Sequence, residues 1–359
     1  MMKPIYIVSA SAISPQNSFE NPQFLEVITS DTSGKLFVKE PDYRQYINPV
    51  AIRRMSRLIK MGISCGMNAL QQAKITTPDA IITGTGLGSM TDTEKFLNDM
   101  IALEEEALNP TFFIQSTYNS VNGWISLQTK STGYNQTYVN RGLSLEMALM
   151  DAQLFIQEST DIVHVLVGGF DELTDEYHIV KSKLGYWKQA TFNNLDLFQH
   201  SHTSGSIGGE GAAFFVCTNS SLNAISNICG IQQLHYPTPN TINESLKRLL
   251  HENNLQLEDL DVVLLGQSGD VRFETFYDSI KNSFSENTSL IGFKHLVGEY
   301  PTSSGFALWM ASQIVVHNSI PEVTMLKKGT SSNFRNILLI NHYPLQTASL
   351  ILLKKAIDN

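Results

Sequence analysis

The sequence predicts an α/β fold built from two matching halves. Strand-like and helix-like stretches alternate along all 359 residues, as α/β layering requires. Several strands, Asp161 to Gly169 among them, are apolar almost without interruption. That is the mark of a sheet covered on both faces, where no side of the strand meets water. Two helices, Leu143 to Gln157 and Gly305 to Val316, are apolar nearly all round, which places them inside the protein.

The elements follow in order. Pro4 to Ser11 reads as a strand, followed by an irregular stretch to about Tyr46. Asn48-Pro49 supplies a cap and a first-turn proline, and Ile52, Met55, Ile59, Ile63 and Leu70 continue at helical period. Arg53, Arg57 and Lys60 share a face, either solvated or a docking patch for an acidic partner. Asp79 to Thr83 is a buried strand ending in the turn Gly84 to Ser89. Dinucleotide spacing is absent from that turn, so close packing is preferred over phosphate binding. Helices follow at about Thr93 to Leu103 and Val121 to Lys130. Gln136 to Val139 reads as a strand, Asn140-Arg141-Gly142 as a turn into the first apolar helix, and Asp161 to Gly169 as the next strand, with His164 read as a core residue. Leu184 to Ser204 is polar and aromatic, a surface excursion, and Ala212 to Cys217 closes the first half as a strand. The second half repeats the pattern with strands at Ile225 to Gln232, Leu260 to Leu265, Asn336 to Asn341 and Ala348 to Leu353, and helices at Asn240 to Asn253 and Gly305 to Val316. The halves divide at 1–220 and 221–359 and pack as one unit.

Composition narrows function. A hydrophobic content of 42% against 16% charged fits a large core. A net charge of -9 with no basic tract argues against nucleic acid, and no apolar run is long enough to span a bilayer. The N-terminal stretch lacks signal-peptide features. Cys65, Cys217 and Cys229 have neither metal nor disulfide spacing, and Cys65 and Cys217 read as inert core thiols. A reducing cytoplasm is the expected setting; no cofactor and no metal is expected.

Several segments together resemble the β-ketoacyl synthases, condensing enzymes of the thiolase-like fold. Arg53 to Arg57 matches an RRMSR-like segment. Gly168 to Glu172 resembles the family's Gly-Gly-x-Glu, and Ser206 to Ala213 its Gly-Glu-Gly-Ala. Around the first apolar helix the family carries Thr-Ala-Cys-x-Ser. Ser144 takes the Ser place, which puts Gly142 where the catalytic Cys belongs. The resemblance implies a five-layer αβαβα fold of two pseudo-equivalent halves. It also implies a structural role for Glu210, tying loops through backbone hydrogen bonds.

The family's chemistry needs a Cys for acyl transfer, two His for decarboxylation, an ordering Lys and a Gly-rich closing loop. Where the first His-Gly-Thr is expected, this chain has Gly266-Gln267-Ser268. In Lys-x-x-x-Gly-His, Lys294 and Gly298 keep their places but Glu299 replaces the His, and His295 is four positions out of register. The family's Asn-Ser-Phe-Gly-Phe-Gly-Gly is replaced by Asn341-His342-Tyr343-Pro344-Leu345-Gln346, without its glycines. An ionised Glu299 would repel a malonyl carboxylate or an enolate. Gly142, Ser144, Gly266, Lys294, Glu299, Asn341 and His342 are the candidate pocket residues.

The resemblance therefore implies a subunit of the chain-length-factor type, as in aryl-polyene and flexirubin-type clusters, pairing with a catalytic ketosynthase. Tyr134, Tyr138 and Val139 are then expected at the subunit interface, with acyl carrier protein contacted mainly through the partner because this chain is acidic. Two other readings stay open: an enzyme with a remodelled site using Ser144, Glu299 or His342, and a homodimeric acyl-binding scaffold.

Overall fold

The structure, a computed structural model, describes residues 4–344 and 347–356. Eleven strands form one hydrogen-bonded sheet. In chain order they are β1 (Ile5–Ile13), β2 (Ala80–Gly84), β3 (Tyr134–Tyr138), β4 (His164–Asp171), β5 (Gly211–Thr218), β6 (Ser226–His235), β7 (Val262–Leu265), β8 (Ser289–Gly292), β9 (Met325–Lys327), β10 (Asn336–Tyr343) and β11 (Thr347–Lys355). Their order across the sheet is β9-β8-β7-β10-β11-β6-β1-β5-β4-β2-β3.

That order contains one five-strand pattern twice. Numbering each set by sequence, β1 to β5 lie in the order 3-2-4-5-1, and so do β6, β7, β8, β10 and β11. In both sets the last strand is antiparallel to its two neighbours. The expected two sheets are joined: β1 also pairs with β6, through Ile5–Ile228, Tyr6–Asn227 and Ile7–Ser226.

The helices that position the site are α1 (Arg57–Ala73), α2 (Met90–Ala102), α3 (Pro110–Ser116), α4 (Ser120–Thr129), α5 (Ser144–Glu158), α6 (Asp175–Lys183), α7 (Pro239–Glu252), α8 (Val271–Lys281), α9 (Lys294–Val297) and α10 (Ser304–His317). Strand periodicity sorts them into layers, because successive side chains point to opposite faces. Ile82, Val165, Val167 and Phe215 from the first set, and Val262, Leu264, Ile337 and Leu339 from the second, share one core with Leu145, Ala148, Phe306 and Met310 of α5 and α10. The intervening Ile81, Leu166, Phe214 and Val216 pack instead with α1 and α4 through Leu58, Ile59, Val121 and Ile125. Val263, Leu265, Leu338 and Leu350 pack with α7 and α8 through Leu246, Phe276 and Tyr277. Helix, sheet, helix, sheet, helix is the resulting five-layer order.

Local differences from the sequence reading have physical causes. The helix opened by Asn48 stops after Pro49–Ile52 and restarts at Arg57. Between them Ser56 N–H donates to Gln115 Oε1 at 2.8 Å, and the Gln115 amide donates to Arg54 O. This side chain holds the backbone out of the helix. Arg57 is not part of a solvated face; its guanidinium pairs with Glu210 and Glu40. His164 is half-buried at the first position of β4 rather than a core residue. The excursion after Leu184 is not wholly on the surface: Asn194 and Leu197 are buried. The Gly84 turn packs tightly, since a Cβ there would lie 2.3 Å from the backbone of Ser144.

Candidate functional site

The site forms where the start of α5 meets the ends of β10 and β11 and the α9–α10 connection. A short 3₁₀ turn, Arg141–Leu143, leads into α5, with Arg141 at φ +47°. Gly142 is buried. A Cβ added to it would lie 2.0 Å from Tyr343 Cβ and 2.5 Å from Tyr343 Cγ. The space that a side chain at residue 142 would need is therefore filled by a tyrosine delivered by β10. Burial pushes the Tyr343 phenol well above its ordinary pKa, with neighbouring Tyr177 adding to the shift. Of the rewritten closing loop, Leu345 and Gln346 lie outside the described residues.

Ser144 is fully buried. Its Oγ lies 2.9 Å from Thr85 O and 2.8 Å from Arg141 O and accepts from Asn140 N–H at 2.8 Å. A hydroxyl so held by backbone groups has no base among these partners to activate it.

Lys294 and Glu299 are brought together. Lys294 Nζ donates to Glu299 Oε2 and to His342 O, both at 2.7 Å, and both side chains are buried. Burial pulls the Lys294 amine down, opposed by the Glu299 charge. It raises Glu299 to about 7, opposed by Lys294. Among the described residues, Glu299 Oε1 has no hydrogen-bond partner. His342 is 2% exposed; its Nδ1 lies 2.6 Å from Tyr277 OH, and burial lowers its pKa well below the usual value. Gly266 is buried beneath Asn341, whose Oδ1 sits where a side chain on residue 266 would begin. The structure thus gathers Gly142, Lys294, Glu299, Asn341 and His342 around one region but leaves Ser144 facing the Gly84 turn. His295 turns elsewhere: its Nε2 lies 3.0 Å from Val323 O, and burial lowers it to about 4.

Glu146 was not singled out from the sequence. It lies on α5 and is fully buried, with Oε1 accepting from Ser349 Oγ at 2.8 Å. Burial raises its pKa, while the Ser349 hydrogen bond and the Lys294 charge oppose the shift. An acidic residue in the first turn of a mostly apolar helix was the available signal. Glu210, on the far side of β5, accepts from Val38 N–H at 2.8 Å and Leu173 N–H at 3.0 Å and pairs with Arg57. Tyr134 and Tyr138 are the ends of β3, which is the sheet edge; Tyr134 and the following Val139 are each 43% exposed. Among the described residues, no group of three His, Cys, Asp or Glu could hold a metal ion, and no helix is long and apolar enough to cross a membrane.

The doubled 3-2-4-5-1 sheet around two buried helices is the thiolase-like fold. More particularly, residues 33–192 match the family model for the β-ketoacyl synthase N-terminal domain. Solved structures agree over the whole chain. The ishigamide ketosynthase/chain length factor matches at 14% identity and TM-score 0.81, covering 99% of this chain and 100% of that one. A β-ketoacyl synthase from Burkholderia phymatum matches at 13% and 0.78, with the same coverage. A type II polyketide synthase acyl-carrier protein complex with its hexaketide-bound ketosynthase matches at 17% and 0.73, again covering 99% and 100%. No curated protein matches in sequence.

Proposed function

We propose that this chain is a non-catalytic, chain-length-factor-type subunit that pairs with an intact ketosynthase and helps shape the pocket in which that partner extends an acyl chain, in polyketide biosynthesis of the aryl-polyene kind. The observation that carries this reading is the Gly142 position: it offers no nucleophile, and Tyr343 occupies the space one would need. The remaining chemical positions are rewritten in the same direction. Glu299 stands where an imidazole is expected, and Ser144 is held by backbone groups.

The edge strand β3 supports the partner assignment. It pairs with β2 on one side, and among the described residues no other strand of the sheet lies beyond it. An unpaired strand edge invites another chain. Exposed Tyr134 and Val139 make that edge partly apolar. Carrier protein, being acidic, is assigned mainly to the partner because this chain carries -9.

Co-expression with an intact Cys-His-His ketosynthase from the same genome tests the proposal. The two chains are expected to elute together, and product length is expected to change when this chain is omitted. Transfer of an acyl group to this chain alone, seen as a mass increase, would overturn the non-catalytic assignment. Failure to co-purify would overturn the pairing.

A further inference from the structure

A cavity of about 170 Å³ lies between α6 and the excursion that follows it. At about 30 Å³ for a water in the liquid, it has room for one small molecule or a few waters. Ser33 and Thr191 stand exposed at its rim, and His178, Lys188 and Ser206 also line it. Ser206 is only 3% exposed. Backbone bonds pin the excursion there: Lys188 N–H donates to Ser206 O at 2.9 Å, and Ser206 N–H to Tyr186 O at 2.8 Å. The His178 ring is held too. It stacks on Trp187, with centroids 5.5 Å apart and planes 9° from parallel, and a Cβ on Gly208 would lie 3.2 Å from its Cδ2.

Two buried polar atoms on these walls are unused. Among the described residues, neither Ser206 Oγ nor His178 Nε2 has a hydrogen-bond partner, although buried polar atoms are normally paired. Charge indicates the missing partner. In a chain of net charge -9, no described Asp or Glu lines this cavity. The Lys188 ammonium donates to His200 O, Thr203 O and Thr203 Oγ1, all neutral acceptors. Lys35 and Asp175, the other charged groups beside the imidazole, pair with each other at 2.6 Å. Burial, with Lys35 adding to it, holds His178 below its usual pKa. An anion in the cavity opposes that shift, since an opposite charge favours the charged form. In the imidazolium both ring nitrogens donate.

We propose that this cavity binds a small oxyanion, a carboxylate or a phosphate, with Ser206 Oγ–H and the His178 imidazolium Nε2–H donating to its oxygens and Lys188 supplying positive charge. None of the residues gathered around Gly142 lines it, and the proposal stands whether or not the chain pairs with a synthase.

Histidine ring ¹H–¹³C spectra of the full chain, titrated at constant ionic strength with sodium acetate, sodium phosphate and sodium chloride, test it. The His178 signal is identified by its Overhauser contact with the Trp187 ring. It is expected to move saturably with acetate or phosphate and not with chloride; the tighter of the two tells a carboxylate site from a phosphate site. Acetate affinity is expected to fall at least about tenfold from pH 6 to pH 8, as the imidazolium is lost. Ser206→Ala is expected to weaken binding about tenfold, the worth of one hydrogen bond to a charged group. The chloride control and the pH series use the unmodified protein and so do not depend on that variant's folding. No saturable shift, an equal response to chloride, acetate affinity unchanged between pH 6 and pH 8, or undiminished affinity in folded Ser206→Ala would overturn the proposal.

Discussion

Glu210 and Glu299 are both buried carboxylates paired with a cation, yet they are used differently. Both oxygens of Glu210 are engaged: Oε1 by Val38 N–H and Arg57, Oε2 by Leu173 N–H and Arg57. Glu299 has Lys294 on Oε2 and, among the described residues, nothing on Oε1. The first carboxylate is consumed in joining three stretches of backbone. The second is half-satisfied and raised to about 7 by burial. The difference teaches that the scaffold around the β5 strand is kept intact while the centre has been rebuilt without full pairing.

The largest expected effect is on the scaffold side. Glu210→Ala leaves two buried backbone donors unpaired and the Arg57 guanidinium with Glu40 alone, at about 1–3 kcal/mol for each stranded donor. Urea denaturation should show it; a loss below about 1 kcal/mol would remove the contrast.

The centre should respond to pH instead. A carboxyl raised from 4.5 to about 7 holds its proton longer in the folded than in the unfolded chain. Stability therefore falls as pH rises from the unfolded value toward 7, by up to about 3 kcal/mol for this group. Asp171, raised to about 6, and Glu172, raised to about 7, slope the same way. Glu299→Gln should remove only its own share, visible as a flatter curve of denaturation midpoint against pH. An unchanged slope would show that Glu299 is not held in the raised state.

A smaller effect is expected at the filled position. Gly142→Cys forces a Cβ onto Tyr343, and such overpacking costs about 1–3 kcal/mol. Combining it with Tyr343→Gly should recover part of the loss, a coupling of about 0.5–3 kcal/mol in a double-mutant cycle. Strict additivity would mean that Tyr343 does not occupy the seat. The smallest effect concerns native thiols. Cys65 and Cys217 are buried and pushed up to about 12, so neither should react with a disulfide reagent before unfolding. Prompt labelling of either would place a reactive thiol in the half that has none at residue 142.

Most of the architecture was legible because periodicity reports burial. The apolar run at Asp161 to Gly169 became β4, where Val165 to Asp171 are all buried, and the two all-round apolar helices became the middle layer. What escaped was set by contacts between distant residues. Arg57 reads as exposed from its own helix, yet its partner Glu210 is 153 residues away. The break after Ile52 depends on Gln115, which no local pattern could announce. At the site, the missing side chain of Gly142 was readable, but that Tyr343 fills its space was not. Glu146 was concealed by the greasiness of its own helix.

The three residue pairs between β1 and β6 carry one further consequence. They make the start of β1 a shared spine, with Tyr6 and Ile7 paired to β5 on one flank and to β6 on the other. Cutting the polypeptide near residue 220 would strip each fragment of a neighbour and expose a sticky ribbon on both. The two pieces, made separately, should clump alone and knit together when mixed during refolding.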